Sequence, residues 1–149
     1  MEWVLILIAA FTIIIMNAAI YTVYNKKKRL IISSLQADNP SIEVYAARYQ
    51  QDKLLNLNKA KLTLQGNKAI IKTASSTAEF DLPATTVTTG DLVHWGKILL
   101  TSNQQTWWVE PFNFSSQFFF VRTLFFRKTL LLSARDAIVQ SLVKHGVRT

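Results

Sequence analysis

The residues able to carry acid–base or metal chemistry are few in this chain and do not converge. It has two histidines, His94 beside Trp95 and His145 near the C-terminus, and neither stands in a zinc-binding spacing such as HExxH. There is no cysteine, so a disulfide framework, a thiolate metal site and a catalytic thiol are all ruled out. Glu79, Asp81, Asp91 and Glu110 fall in or beside predicted strands. Two carboxylates become an acid–base pair only at a specific separation, and spacing along a chain does not fix one. A Walker loop, a GxGxxG turn and a GxSxG elbow are all missing from the sequence, and with them the phosphate cradle or exposed nucleophile that each supplies. The expectation is a non-enzymatic protein with no catalytic residue, no metal and no cofactor. His94 then reads as a strand residue with a partly buried ring, and His145 as a favourable charge near a helix C-terminus.

What the chain does carry is a means of binding surfaces. Trp3 to Tyr24 (WVLILIAAFTIIIMNAAIYTVY) holds no charged residue, and Lys26-Lys27-Lys28-Arg29 follows it. About 20 apolar residues are needed to cross a bilayer core roughly 30 Å thick. Cations stay on the cytoplasmic side, so the N-terminus is expected outside and the remainder in the cytosol. A cleaved secretory signal has its cations before the apolar core and a shorter core; here the order is reversed, which predicts a retained single-pass anchor in the cell membrane. Asn17, beside Ala18 and Ala19, is either a point where two spans pack and hydrogen-bond or a tolerated single amide.

All 17 Lys and Arg lie beyond residue 25, against 8 acids there, a net charge of +9 for the cytosolic part. Each juxtamembrane cation near an anionic leaflet contributes about 1 kcal/mol. Lys26, Lys27, Lys28 and Arg29, with Arg122, Arg127 and Lys128, are therefore the candidate lipid-contacting residues. Plain solvation of a basic surface is the bland alternative, and nucleic acid ranks below both because the charges are scattered and the chain is tethered to a membrane.

Three stretches organise the sequence: a transmembrane anchor (1–25), a basic juxtamembrane segment with a connecting helix (26–56), and an α+β domain (57–149). Leu30 to Leu35 can extend the membrane helix, and Asp38-Asn39-Pro40 should interrupt it. Pro40 suits a first helical position, and Ile42, Tyr45, Ala46 and Tyr49 at i, i+3, i+4, i+7 predict an amphipathic helix reaching about Lys53. From Ala60 the period becomes two. Gly66-Asn67 supplies a two-residue hairpin turn between Ala60–Gln65 and Lys68–Thr73. Further strands are expected at 79–82, 85–89, 92–101 and 106–110. Trp107 and Trp108 should point to opposite faces, which leaves Trp108 as a candidate partner or interface residue. Ser133-Ala134-Arg135-Asp136 has a capping-box pattern, with Ile138, Val139, Leu142 and Val143 at helical spacing and Gly146 at the C-cap.

Phe112 to Leu132 holds seven phenylalanines. Arg122, Arg127 and Lys128 interrupt it, so it is too short and too charged to span. It is a central strand leading into the last helix, an element lying in the headgroup region, or a docking patch built on Phe118, Phe119, Phe120, Phe125 and Phe126.

The opening hairpin AKLTLQGNKAIIKT, the later hairpin KILLTSNQQTWWVE and the closing helix ARDAIVQSLVKHGV together resemble a small pleckstrin-homology-like (PH) domain of the bacterial PH/GRAM type, over roughly Lys59 to Gly146. The resemblance implies an antiparallel sheet or partial barrel of about six or seven short strands closed by an amphipathic C-terminal helix. It also implies a module that binds lipid headgroups or protein partners without catalysis. The Phe-rich insertion departs from a compact form of that fold. The leading expectation is a membrane-anchored adaptor on the inner leaflet. The alternatives are an accessory subunit of a membrane complex, or a small membrane-anchored immunity or phage-exclusion protein.

Overall fold

The computed structural model describes residues 1–50, 56–90, 94–112 and 125–149, with backbone alone for 125–127. Helix α1 runs unbroken from Glu2 to Ser34. Among the described residues it is the one helix long and apolar enough to cross a membrane, and it lies near the N-terminus. Its 22 charge-free residues rise about 33 Å at 1.5 Å each. Three polar side chains within that run turn back onto the helix itself: Thr12 Oγ1 donates to the Ile8 carbonyl at 2.8 Å, the Asn17 amide to Ile13 at 2.8 Å, and Thr22 Oγ1 to Ala18 at 2.9 Å. Each of these polar groups thus has a partner within the helix itself.

Seven strands follow: β1 (Ser41–Arg48), β2 (Asn58–Gln65), β3 (Lys68–Thr73), β4 (Thr77–Asp81), β5 (Thr86–Thr89), β6 (Ile98–Thr101) and β7 (Thr106–Glu110). They form one antiparallel sheet in the order β4-β3-β2-β1-β7-β6-β5. Helix α2 (Phe125–Lys144) closes it, placing Leu131, Ala134, Ile138 and Leu142 in the core with Val44, Leu62, Ile71, Phe80, Ile98 and Val109. The sheet is strongly curled. Gln105, in the β6–β7 turn, donates from Nε2 to the Glu79 carbonyl of edge strand β4 at 3.2 Å, although three strands, β3, β2 and β1, lie between β4 and β7. The other edge, β5, is covered at Val87 by the C-terminal segment, whose Arg148 carbonyl accepts from Val87 N–H at 2.8 Å.

The α+β class, the N-terminal apolar helix, the antiparallel sheet and the closing helix are as expected. Three local expectations are overturned. The stretch predicted as an amphipathic helix from Pro40 to Lys53 is strand β1, and residues 51–55 lie outside the described set. Ile42, Val44 and Ala46 alternate at period two and face the core. Ile42, Tyr45, Ala46 and Tyr49 satisfy a helical template as well, and pairing with β2 and β7 on both sides decides the outcome. The strand expected over 92–101 begins only at Ile98, with His94 to Lys97 forming a turn; residues 92 and 93 are outside the described set. The capping box at Ser133 is a false start, because Leu130, Leu131 and Ala134 carry the buried face of α2 back past it.

The C-terminal end of α2 is as predicted. Gly146 has φ +110°, Val147 N–H bonds the Leu142 carbonyl at 3.1 Å, and Gly146 N–H bonds Val143 at 3.0 Å. This pair of bonds is a Schellman motif, with Val147 buried beside Leu142.

Candidate membrane-facing site

Asn25, Ile32 and Ser34 are half-buried and most other residues of α1 exposed; Asn17, Ile20, Tyr24, Lys28, Ile31 and the C-cap Leu35 form a continuous covered row along the helix. Their spacing of three and four puts them on one face. At its lower end this face enters the domain: Ile31 belongs to the core at 6 % exposure, and Tyr24 and Leu35 pack against that core. Helix and sheet therefore share one hydrophobic interior. Lys26, Lys27 and Arg29 are exposed and Lys28 half-buried; at about 100° per residue four successive positions encircle most of the helix. The four predicted cations thus form a girdle where the helix meets the domain. Lys27 Nζ lies 5.7 Å from the Tyr24 ring centroid, at the outer range of cation–π attraction.

Two hollows open below the girdle and share Ser41, Ile42 and Glu43 in their walls. The first, about 290 Å³, lies between α1 (Lys27, Leu30, Ile31, Ser34) and β1. The second, about 400 Å³, lies over β1, β2 and β3 and is edged by Lys59, Lys61 and Lys72. Strand register puts Glu43 opposite Lys61 and Lys61 opposite Lys72. Lys61 thus faces an acid on one side and a like charge on the other, and like charges directly opposed across a sheet are unfavourable. Glu43 is engaged by Lys59 at 3.3 Å, whereas Lys61 and Lys72 form no ion pair among the described residues. Lys68 differs: its ammonium is hydrogen-bonded to Glu79. That bond first, and the Glu79 charge second, hold it above the ordinary lysine value.

The tryptophans divide as alternation requires. Trp107 is buried in the core, its Nε1 donating to Gln105 Oε1 at 3.0 Å. Trp108 lies on the other face and donates to the buried Glu110 Oε1 at 2.9 Å. Around the Trp108 ring stand His94, edge-on at 5.1 Å, Tyr49 at 6.4 Å, and Lys97 Nζ at 4.7 Å. Lys128 is half-buried with its ammonium 4.7 Å from the Trp95 ring, and Arg135 Nη1 donates to the Trp95 carbonyl at 3.0 Å.

The structure thus gathers Lys26 to Arg29 at the helix root and places Trp108 and Lys128 in separate aromatic clusters. Asn17 sits further up the docked face. Arg122, Phe118, Phe119 and Phe120 lie outside the described residues, as do the side chains of Phe125, Phe126 and Arg127. Sequence reasoning missed Lys59, Lys61 and Lys72. The signal for them was present, since the Gly66-Asn67 turn sets the β2–β3 register and so pairs Lys61 with Lys72. Among the described residues, no three His, Asp or Glu side chains come together as metal ligands would.

No family model and no curated protein matches the chain. Among solved structures it is similar to the N-terminal PH domain of human ARAP2 protein, at 13 % identity and a TM-score of 0.47, over 74 % of this chain and 81 % of that one.

Proposed function

We propose that this protein is a non-enzymatic, single-pass membrane-anchored binding module of the small bacterial PH/GRAM kind. Its N-terminus faces outward, and its sheet-and-helix domain is held on the cytoplasmic leaflet, where it engages anionic lipid and, beside it, a membrane-protein partner. The observation that carries this reading is the continuity of α1. The upper helix exposes a charge-free apolar surface all along its length, while its last turns are part of the domain core. The helix is a rigid stalk rather than a tether, so the domain meets the leaflet in one orientation.

Electrostatics supports the same reading. The girdle at the helix root continues, across the shared wall of Ser41 and Glu43, into the lysine face of β2 and β3. Such a surface is drawn to phosphate-bearing headgroups, with an attraction that salt weakens over a Debye length of about 10 Å at 0.1 M.

The test uses the full chain in nanodiscs with a spin label at Lys61→Cys or Lys72→Cys. With anionic lipid at low salt, both labels should become less accessible to a water-soluble relaxation agent than in neutral discs, and high salt should restore them. Accessibility independent of lipid charge and salt would remove anionic lipid from the account.

A further inference from the structure

We infer that the hollow between α1 and β1 binds the headgroup of a single anionic phospholipid carrying free hydroxyls, taken from the leaflet in which α1 is seated. The inference rests on the anchor reading above and adds a stoichiometric site to a general surface attraction. Depth is the first argument. Lys27 follows Tyr24, the last residue of the apolar run, by three positions, about 4–5 Å of helix rise, which puts the mouth of the hollow at the level of lipid phosphates.

Charge is the second. Lys27 stands at the rim, and the one carboxylate in the wall, Glu43, is already held by Lys59. A phosphate there meets a cation without facing an unpaired anion.

The third argument is the chemistry of the walls. Ser34 and Tyr45 line the hollow half-buried, and their hydroxyls make no hydrogen bond among the described residues. Ser41 Oγ shares one with Thr63 Oγ1 at 3.1 Å and has capacity left. Three hydroxyl-bearing residues and one lysine in the lining suit a polyol phosphate better than a choline, which donates nothing and carries its own positive charge. Leu30, 57 % exposed beneath a ring of lysines, then has a partner in the glycerol backbone and the first methylenes. At about 290 Å³ the space is at the small end of ligand pockets. It is sized for a headgroup while the acyl chains remain in the bilayer.

The test is native mass spectrometry of the full-length protein in mild detergent with phosphatidylglycerol or phosphatidylcholine added. One phosphatidylglycerol per chain should be retained, with a preference of about tenfold or more over phosphatidylcholine, equivalent to roughly 1.4 kcal/mol. Lys27→Glu and Leu30→Trp should each abolish that preference. Lys144→Glu, the same charge change at the exposed end of α2 and outside both girdle and hollow, should keep it. Circular dichroism and thermal unfolding of each variant exclude misfolding as the cause. Soluble glycerol 3-phosphate in excess should not displace the lipid. The site is overturned if the wild type retains neither lipid selectively, if Lys144→Glu loses as much as Lys27→Glu, or if glycerol 3-phosphate competes. Retention in detergent does not depend on which side of a membrane the domain faces, so a topology measurement in cells separates failure of the anchor reading from failure of the site.

Discussion

The Tyr24 ring meets Phe112 edge-on, with centroids 5.2 Å apart and planes at 64°. Tyr24 ends the apolar run of α1, and Phe112, 1 % exposed, follows β7 by two residues. One aromatic contact thus joins α1 to the end of the sheet, with Ile31 and Leu35 continuing the seam two and three turns below. Edge-to-face pairs contribute about 0.5–1.5 kcal/mol beyond the area they bury.

Phe112→Ala should lower stability by about 3–5 kcal/mol, the usual cost of emptying a buried aromatic site, and Tyr24→Ala by less because its ring is half-exposed. The double variant should cost less than the sum of the two. Thermal or chemical unfolding of the full chain in detergent gives all three values, and strict additivity would mean that the two rings do not interact.

Adjacent residues on α1 should behave differently. Ile31→Ala removes a core side chain and should cost about 2–5 kcal/mol. Leu30→Ala, on exposed surface, should stay within about 0.5 kcal/mol. A chain beginning at Gln36 lacks both Ile31 and Leu35 and should unfold at a lower temperature than one beginning at Val23. Equal stability of the two shortened chains would separate the helix from the core.

Gly96 is a close approach. A Cβ there would lie 2.7 Å from Leu131 Cδ1, and Leu131 is buried, so any shift of its side chain disturbs the packing around it. Gly96→Ala should destabilise by about 1–3 kcal/mol as an overpacked site does. Leu131→Ala in the same chain should recover part of that loss, and the unfolding midpoints of the two single variants and the double variant test it.

Lys72→Glu replaces a like-charge pair across β2 and β3 by an attractive one with Lys61, and its neighbour on β4 is the uncharged Thr77. The melting temperature should rise slightly while retention on anionic vesicles falls. A variant both less stable and equally well retained would show that the lysine face has neither the cost nor the role assigned to it.

The Lys68–Glu79 pair gives a pH dependence at the alkaline end. The folded-state value of Lys68 is raised above 10.5, so the contribution of the pair is fully present below pH 10.5 and is lost as pH rises through the folded value. The difference in melting temperature between wild type and Lys68→Met should hold constant up to that point and shrink above it. The pair is solvent-exposed, so the difference is small throughout.

Much of this architecture was legible because its signals were local. The Gly66-Asn67 turn lies between Gln65 and Lys68 as its composition predicts, and Gly146 ends α2. Ser41 to Arg48 was not legible, because its apolar residues fit periods of both two and 3.6. Only the partners β2 and β7, which are distant in sequence, separate the two. Ser133 misled for a related reason: a cap pattern says where a helix can start, and a buried stripe reaching back to Leu130 overrode it. At the site, the cation girdle could be read from a run of four residues. The lysine face needed strand register, and the hollow needed the contact of α1 with β1, which no sequence spacing encodes.

Because the chain has no cysteine, one introduced thiol reports its own location without background. Thr149→Cys in the full-length protein should react with a membrane-impermeant maleimide only after cells are permeabilised, and the same protein should still begin with the residues of α1. Labelling of Thr149→Cys in intact cells, or a mature chain starting beyond Tyr24, would contradict the placement of this domain on the inner face of the membrane.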